Sequence, residues 1–282
     1  MAEEKQTTIT QDKAAVNALI DGLTLFDDEL MSRFFDKNIE ATELILRIIM
    51  GRKIKVISVA TQVELKNQEV GGRNITLDVH AIDVDGEEID IEIQGNSTGA
   101  HVRRARYHSS MVDSRMLKEG QTFRELKDSY VIFIYRHDKY KKGLPLYHVN
   151  RYIEETGEAF EDGSHIIYVN GNYKGNDEIG QLMKDFHQSD PKNMHYATLA
   201  DGMKHFKETE EHDNMSEAVE RYAKEYAKEY AKEYAKECVA QEKIVGIRNL
   251  MKNMKLSLEQ ALNALGIQGE ERERIKGQLQ KQ

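Results

Sequence analysis

Residues 73–94 alternate so strictly that they leave the chain few ways to fold there. In EEIDIEIQ (87–94), Ile89, Ile91 and Ile93 occupy every second position, with Glu88, Asp90, Glu92 and Gln94 between them. A strand repeats every two residues, so this segment has one apolar and one acidic face. The preceding RNITLDVHAIDV alternates Leu77, Val79 and Ala81 with Asp78, His80 and Ile82, and Asp85-Gly86 between the two runs marks a hairpin. Loop parity then decides which side chains meet. A two-residue turn would pair 78 with 93 and set Asp78 against an isoleucine. A three-residue loop, Val84-Asp85-Gly86 with the glycine in the bulge position, pairs 78 with 92 and 80 with 90. Only the odd loop gathers the isoleucines on one side, so it is the expected register.

The rest of the chain reads as helices and strands around this ribbon. DDELMSRFFD (27–36) and the stretch 38–51 predict helices, the second with Ala41, Leu44, Ile45, Ile48 and Ile49 at helical spacing and Gly51 as its stop. IKVISV (54–59) predicts a strand, and the polar stretch 60–72, ending in Gly71-Gly72, a connection. Residues 100–118 suit a helix with Val102, Ala105, Val112 and Met116 on one side. SYVIFIY (129–135) is a continuous apolar run, fit for a central strand buried on both faces. LYHVNRYI (146–153) and HIIYVN (165–170) predict further strands, and 176–187 and 196–206 helices.

Composition narrows the classes of function. No run approaches the roughly 18 apolar residues that span a bilayer, and the polar start MAEEKQTTIT has no signal-peptide segment. The cytoplasm is the expected compartment, with no membrane partner. Cys238 is the single cysteine, which excludes an internal disulfide framework and a thiolate zinc cluster. The net charge of −9 hides an asymmetry: residues 60–94 carry 2 basic and 9 acidic side chains, whereas 95–152 carry 12 and 5. An acidic chain does not bind polyanions at large, yet a local basic surface can meet a phosphate backbone.

With the odd loop, Asp78 faces Glu92, Gln94 follows on the same strand, and His80 faces Asp90. Two carboxylates at cross-strand distance repel unless a proton or a cation intervenes. Oxygen ligands without thiolates suit a hard cation, Mg²⁺ or Mn²⁺. The plainer alternative is a sheet face whose charges are simply solvated.

DDELMSRFFDKN, the helix ELILRIIM, LDVHAIDVDGEEIDIEIQ, RRARYHSSMVDSRML and SYVIFIYRHD together make the chain resemble the PD-(D/E)XK nuclease family transposases, a group related to the recombination-promoting nucleases. The resemblance covers about residues 25–175. It implies an α/β fold with a restriction-endonuclease-like αβββαβ core, a mixed sheet flanked by helices, and an α-helical C-terminal tail. It implies DNA as partner, Mg²⁺ or Mn²⁺ as cofactor, and phosphodiester hydrolysis that serves recombination or a mobile element. A nuclease fold that has lost cleavage and acts as a nucleic-acid-binding or protein-interaction module is the rival. Under the resemblance Asp78 and Glu92 hold the metal, the Ile93 carbonyl completes the protein ligands, and Gln94 stands where the motif has lysine. Glutamine can orient a water but lends it no positive charge. Arg103, Arg104, Arg106 and Tyr107 open the helix that borders the site and are the expected phosphate ligands, with a solvated basic face as the alternative. Glu43 is the candidate third acidic group, and an ordinary surface glutamate is its alternative.

The division that follows is a nuclease-like domain (1–206), a linker (207–216), a spacer helix (217–243) and a small helical tail (244–282). The spacer holds Tyr-Ala-Lys-Glu four times from Tyr222 to Glu237. A four-residue repeat drifts about 40° per unit on a helix, so its tyrosines spiral instead of forming a seam. A solvated spacer and a tyrosine-lined oligomerisation helix both remain open, as does a homo-oligomer through the C-terminal helices. In the tail, Ser257 with Gln260 three positions on reads as a capping box.

Overall fold

The computed structural model describes residues 20–67, 69–95 and 101–208 and, in the tail, 257–267 with 247, 251, 255 and 272. The chain divides into two compact units, residues 1–213 and 214–282.

The first unit begins with two helices. α1 (Asp28–Phe35) buries Leu30, Met31, Phe34 and Phe35. α2 (Ile39–Met50) starts where the Asn38 side chain accepts the Ala41 N–H, and ends at Gly51, whose φ of 66° lets its N–H reach the Arg47 carbonyl. β1 (Val56–Leu65) runs six residues past the expected strand into the stretch read as a connection. That reading is corrected by a pattern within it. Thr61, Val63 and Leu65 keep the period of two, and they pair with Val79, Leu77 and Ile75 of β2 (Ile75–Asp83). The helices α1 and α2 pack against β1.

β3 (Glu88–Gln94) pairs antiparallel with β2 in the expected register: Val79 opposite Ile91, His80 opposite Asp90, Ala81 opposite Ile89. Continuing the count sets Asp78 opposite Glu92. At the turn the Gly86 N–H donates to the Asp83 carbonyl and Gly86 has φ 81°, the left-handed bulge residue that the odd loop needs. α3 (Val102–Met116) then crosses over, and β4 (Ser129–Tyr135) returns parallel to β3, with Asp90 beside Val131, Glu92 beside Phe133 and Gln94 beside Tyr135. β6 (Ser164–Asn170) lies parallel to β4, and β5 (Leu146–Val149) is the antiparallel edge. The sheet order is β1-β2-β3-β4-β6-β5. Only the first half of the expected strand 146–153 joins it; beyond Val149 the chain leaves and Tyr152 bridges Ala159.

β4 is the spine of the core. Val131 to Tyr135 are all buried, and Val131, Phe133 and Tyr135 pack with Tyr168 of β6 and Ala105 of α3. Fully burying such a side chain contributes roughly 1.5–3 kcal/mol, so these residues fix α3 firmly over the face that also carries Asp90 and Glu92. α4 (Glu178–Phe186) and α5 (Ala197–Glu208) complete the unit, and α5 enters the first two residues of the stretch read as a linker.

In the second unit α6 (Leu258–Ala264) opens with the expected capping box, Ser257 and Gln260 each bonding the other's backbone. Ile247, Ala261, Leu262 and Ile267 form its buried cluster. The Tyr-Ala-Lys-Glu segment lies outside the described residues. Among the described residues no helix is long and apolar enough to cross a membrane.

Candidate functional site

The two central strands bring the acidic groups together and α3 covers them. Glu92 and Asp90 are fully buried and Asp78 is partly exposed. This disposes of the alternative in which the polar face is simply solvated. The Asp78 N–H donates to Glu92 Oε1 at 3.2 Å, and Asp78 Oδ2 accepts from the Ile93 N–H at 3.0 Å. The Gln94 amide nitrogen lies 3.3 Å from Asp78 Oδ2 and 3.5 Å from Glu92 Oε2. Ile93 itself is buried, its N–H turned to Asp78.

Two residues one turn apart on α3 close over the carboxylates. Arg104 donates through Nη2 to Glu92 Oε2 at 2.5 Å and through Nη1 to Gln94 Oε1 at 3.4 Å. Its Nε donates to His108 Nε2 at 3.2 Å. That makes Nε2 an acceptor, so the imidazole proton sits on Nδ1 and is donated to Asp90 Oδ2 at 2.8 Å. His108 is neutral in this arrangement, and burial holds its pKa below the ordinary value. The other oxygen of Asp90, Oδ1, is buried with no hydrogen-bond partner among the described residues.

Burial dominates the electrostatics. It pushes the Asp78 carboxyl up to about 8, with the Glu92 charge adding and the Ile93 N–H opposing. Burial and the Asp78 charge take Asp90 to about 8. Glu92 rises to about 7 through burial and Asp90, against the pull of His108 and Arg104. Asp28, in the first turn of α1, is raised by burial and by Asp27, and its charge in turn raises Asp78. In the absence of a cation, burial favours the protonated forms of Asp78, Asp90 and Glu92 toward neutrality.

A cavity of about 800 Å³ opens at Asp78, lined also by Gln94, His108, Arg103, Arg104, Arg106 and Tyr107, and by Arg73 and His101. The arginines and tyrosine singled out from the sequence therefore share one opening with Asp78. Tyr107 is tethered: its hydroxyl donates to the Arg73 carbonyl at 2.7 Å and accepts from Asn67 at 2.9 Å. Arg115, further along α3, bonds the carbonyls of Met111 and Lys66.

Glu43 is placed elsewhere. Its Oε1 accepts the Val56 N–H at 2.9 Å and meets Lys55 at 3.3 Å, and it lines a different cavity, beside Asp83 and Asp85. The acidic group that the early helices do bring toward Asp78 is Asp28. Arg73, His101 and the buried His108–Asp90 pair were likewise missed. Only His80 opposite Asp90 hinted at the latter, and His80 instead bonds Glu88 at 3.0 Å.

The donor set fits a divalent cation. Asp90, Glu92 and His108 offer ligand atoms within 4.8 Å of one another, and Asp90 Oδ1 is an unpaired buried oxygen. His108 Nδ1, however, is already engaged by Asp90, and Asp90 itself is fully buried and does not line the cavity. Among these carboxylates Asp78 is the one that lines the cavity, and Glu92 is joined to it through the Asp78 N–H. Carboxylate and carbonyl oxygens suit Mg²⁺ or Mn²⁺.

The fold and this acid cluster define a nuclease-type α/β core: a mixed sheet, paired carboxylates on adjacent central strands, and a basic helix beside them. The family model of the PD-(D/E)XK nuclease family transposases matches residues 36–237, and the chain belongs to that family. No curated protein and no solved structure matches it.

Proposed function

We propose that the protein is a cation-dependent DNA endonuclease of the transposase-associated group, acting in recombination or in mobile-element activity. The observation that carries this reading is Asp78 in the lining of an arginine-lined cavity, with buried Glu92 bonded to its N–H. Asp78 and Glu92, with the Ile93 carbonyl, would hold Mg²⁺ or Mn²⁺. A cation bound there would supply a lowered pKa for a water and neutralisation of charge developing on the phosphate. Gln94 holds the attacking water through its amide. Arg103, Arg106 and Arg73 bind phosphates on either side of the scissile one, which positions the strand without reading its sequence. The new bond joins the water oxygen to phosphorus, the bond from phosphorus to the leaving deoxyribose oxygen breaks, and that oxygen takes up the equivalent of the proton the water gives up.

One observation favours a second reading, a DNA-binding or interaction module without cleavage. Gln94 brings no charge, and Arg104 already occupies Glu92, which has no exposed surface. Plasmid nicking separates the two. The protein should nick supercoiled DNA with Mg²⁺ or Mn²⁺ and stop in EDTA. Asp78→Ala and Glu92→Ala should each lower the rate by about 10³ or more, since each removes a ligand of the cation on which the attacking water depends. Equal nicking by either variant and the wild type would exclude this chemistry.

A further inference from the structure

Gln94 raises a physical question that its own contacts answer. A terminal amide can turn over, presenting either oxygen or nitrogen to the same neighbour, and carries no charge. Here its two ends are sorted by surroundings of opposite sign. Oε1 faces the Arg104 guanidinium at 3.4 Å, while Nε2 faces Asp78 and Glu92. The guanidinium is itself held at three points: Glu92 by Nη2, Gln94 by Nη1, and His108 by Nε. His108 can accept from Nε only because its proton is committed to Asp90, a fully buried carboxyl. The side chains form one chain of contact, Asp90 to His108 to Arg104 to Gln94, with α3 fixed beneath by Ala105 and β4.

We propose that Arg104, braced by the buried Asp90–His108 pair, is the positioning residue of this site: it fixes the orientation of the Gln94 amide and supplies the positive charge that glutamine lacks. The inference rests on the nuclease reading for its kinetic part and not for its binding part. Arg104 contacts Glu92 directly, so guanidinium and divalent cation compete for the same carboxylate. A residue of purely structural importance would weaken cation binding and cleavage together when lost. Arg104 separates them, because its removal unmasks Glu92 while leaving Gln94 unoriented.

The test uses the full chain with Mn²⁺ as probe. Calorimetry should show Arg104→Met binding Mn²⁺ about ten-fold or more tightly than wild type, since a neighbouring like charge is gone. Nicking at saturating Mn²⁺ should nevertheless fall by about 10², the usual cost of one fixed charge-stabilising donor. Adding Gln94→Lys to Arg104→Met should recover about ten-fold of that loss by returning a cation to the same place. His108→Phe should resemble Arg104→Met in rate, and His108→Gln, which can still donate to Asp90 and accept from Arg104, should recover part of that loss. Arg104→Lys, which keeps the charge, guards against a folding failure in Arg104→Met and should bind Mn²⁺ as wild type does. Unchanged or weaker Mn²⁺ binding by Arg104→Met overturns the proposal, and so does a rate loss that Gln94→Lys leaves untouched. A wild type that binds Mn²⁺ but nicks nothing would sink the nuclease reading instead, and the calorimetry would still decide the place of Arg104.

Discussion

Without a cation the nuclease unit should lose stability as the pH rises, and one isosteric change should flatten that loss. The Asp78 carboxyl stands at about 8 against an ordinary 3.8, Asp90 at about 8 and Glu92 at about 7. Each keeps its proton in the folded state over a range in which the unfolded chain has already released it. The sign follows: the contribution to stability is complete below pH 4 and is lost as the pH climbs toward 8. At about 1.4 kcal/mol per pKa unit, Asp78 alone has a ceiling on the order of 6 kcal/mol. The three carboxyls raise one another, so protonating one lowers the demand on the next and the shifts do not add. A loss on the order of 3–5 kcal/mol between pH 5 and pH 8 is the expectation for the whole cluster in EDTA. Asp78→Asn keeps an oxygen for the Ile93 N–H and removes one charge, so it should recover on the order of 2 kcal/mol at pH 8 and nothing at pH 5. Amide hydrogen exchange in peptides spanning 88–94 reads the opening of the sheet itself, apart from the tail. Mg²⁺ at pH 8 should protect those amides in the wild type and much less in Asp78→Asn. Equal protection at pH 5 and pH 8 in the cation-free wild type would refute the reasoning, as would an Asp78→Asn variant that follows the wild type at every pH.

Glu43→Ala should leave nicking at the wild-type rate, because Glu43 serves the start of β1, while costing about 1 kcal/mol in urea unfolding for the lost acceptor of the Val56 N–H. Gly180→Ala should be far more damaging: the added Cβ would stand 2.0 Å from the Gly175 carbonyl oxygen. The tight turn entering α4 must then move, and a loss of about 2 kcal/mol or more in thermal unfolding is expected.

The hairpin was legible because a period of two is an unforgiving code. One residue of slip would turn Ile89, Ile91 and Ile93 out of the core, so the isoleucines fixed the loop at three residues and thereby put Asp78 opposite Glu92. β1 reads short because Gln62 and Glu64 make 60–72 look polar, although they are only the outer half of an alternation with Thr61, Val63 and Leu65. The helices are harder. Their spacing shows which residues share a face but not which sheet face that face meets, nor at what height. Glu43 and Asp28 both sit on early helices, and nothing local to either says that the first caps β1 while the second approaches Asp78. The burial of His108 is likewise hidden, because it depends on α3 lying down over β3 and β4, a long-range packing event driven by Ala105, Phe133 and Tyr168.

That packing explains why a glutamine can stand at position 94. Asp28, Asp78, Asp90 and Glu92 are four carboxyls, and the guanidinium of Arg104 is the one cationic group within hydrogen-bond reach of Glu92 among the described residues. His108 adds no charge, since its accepting Nε2 and donating Nδ1 define the neutral ring. A lysine at 94 would set an ammonium against Arg104 Nη1, where the amide oxygen now lies 3.4 Å away. Two cations at that distance repel strongly in a partly buried site and would compete for Glu92. With the positive charge already delivered from α3, the side chain at 94 is better uncharged and two-ended, accepting from the arginine and donating toward the carboxylates.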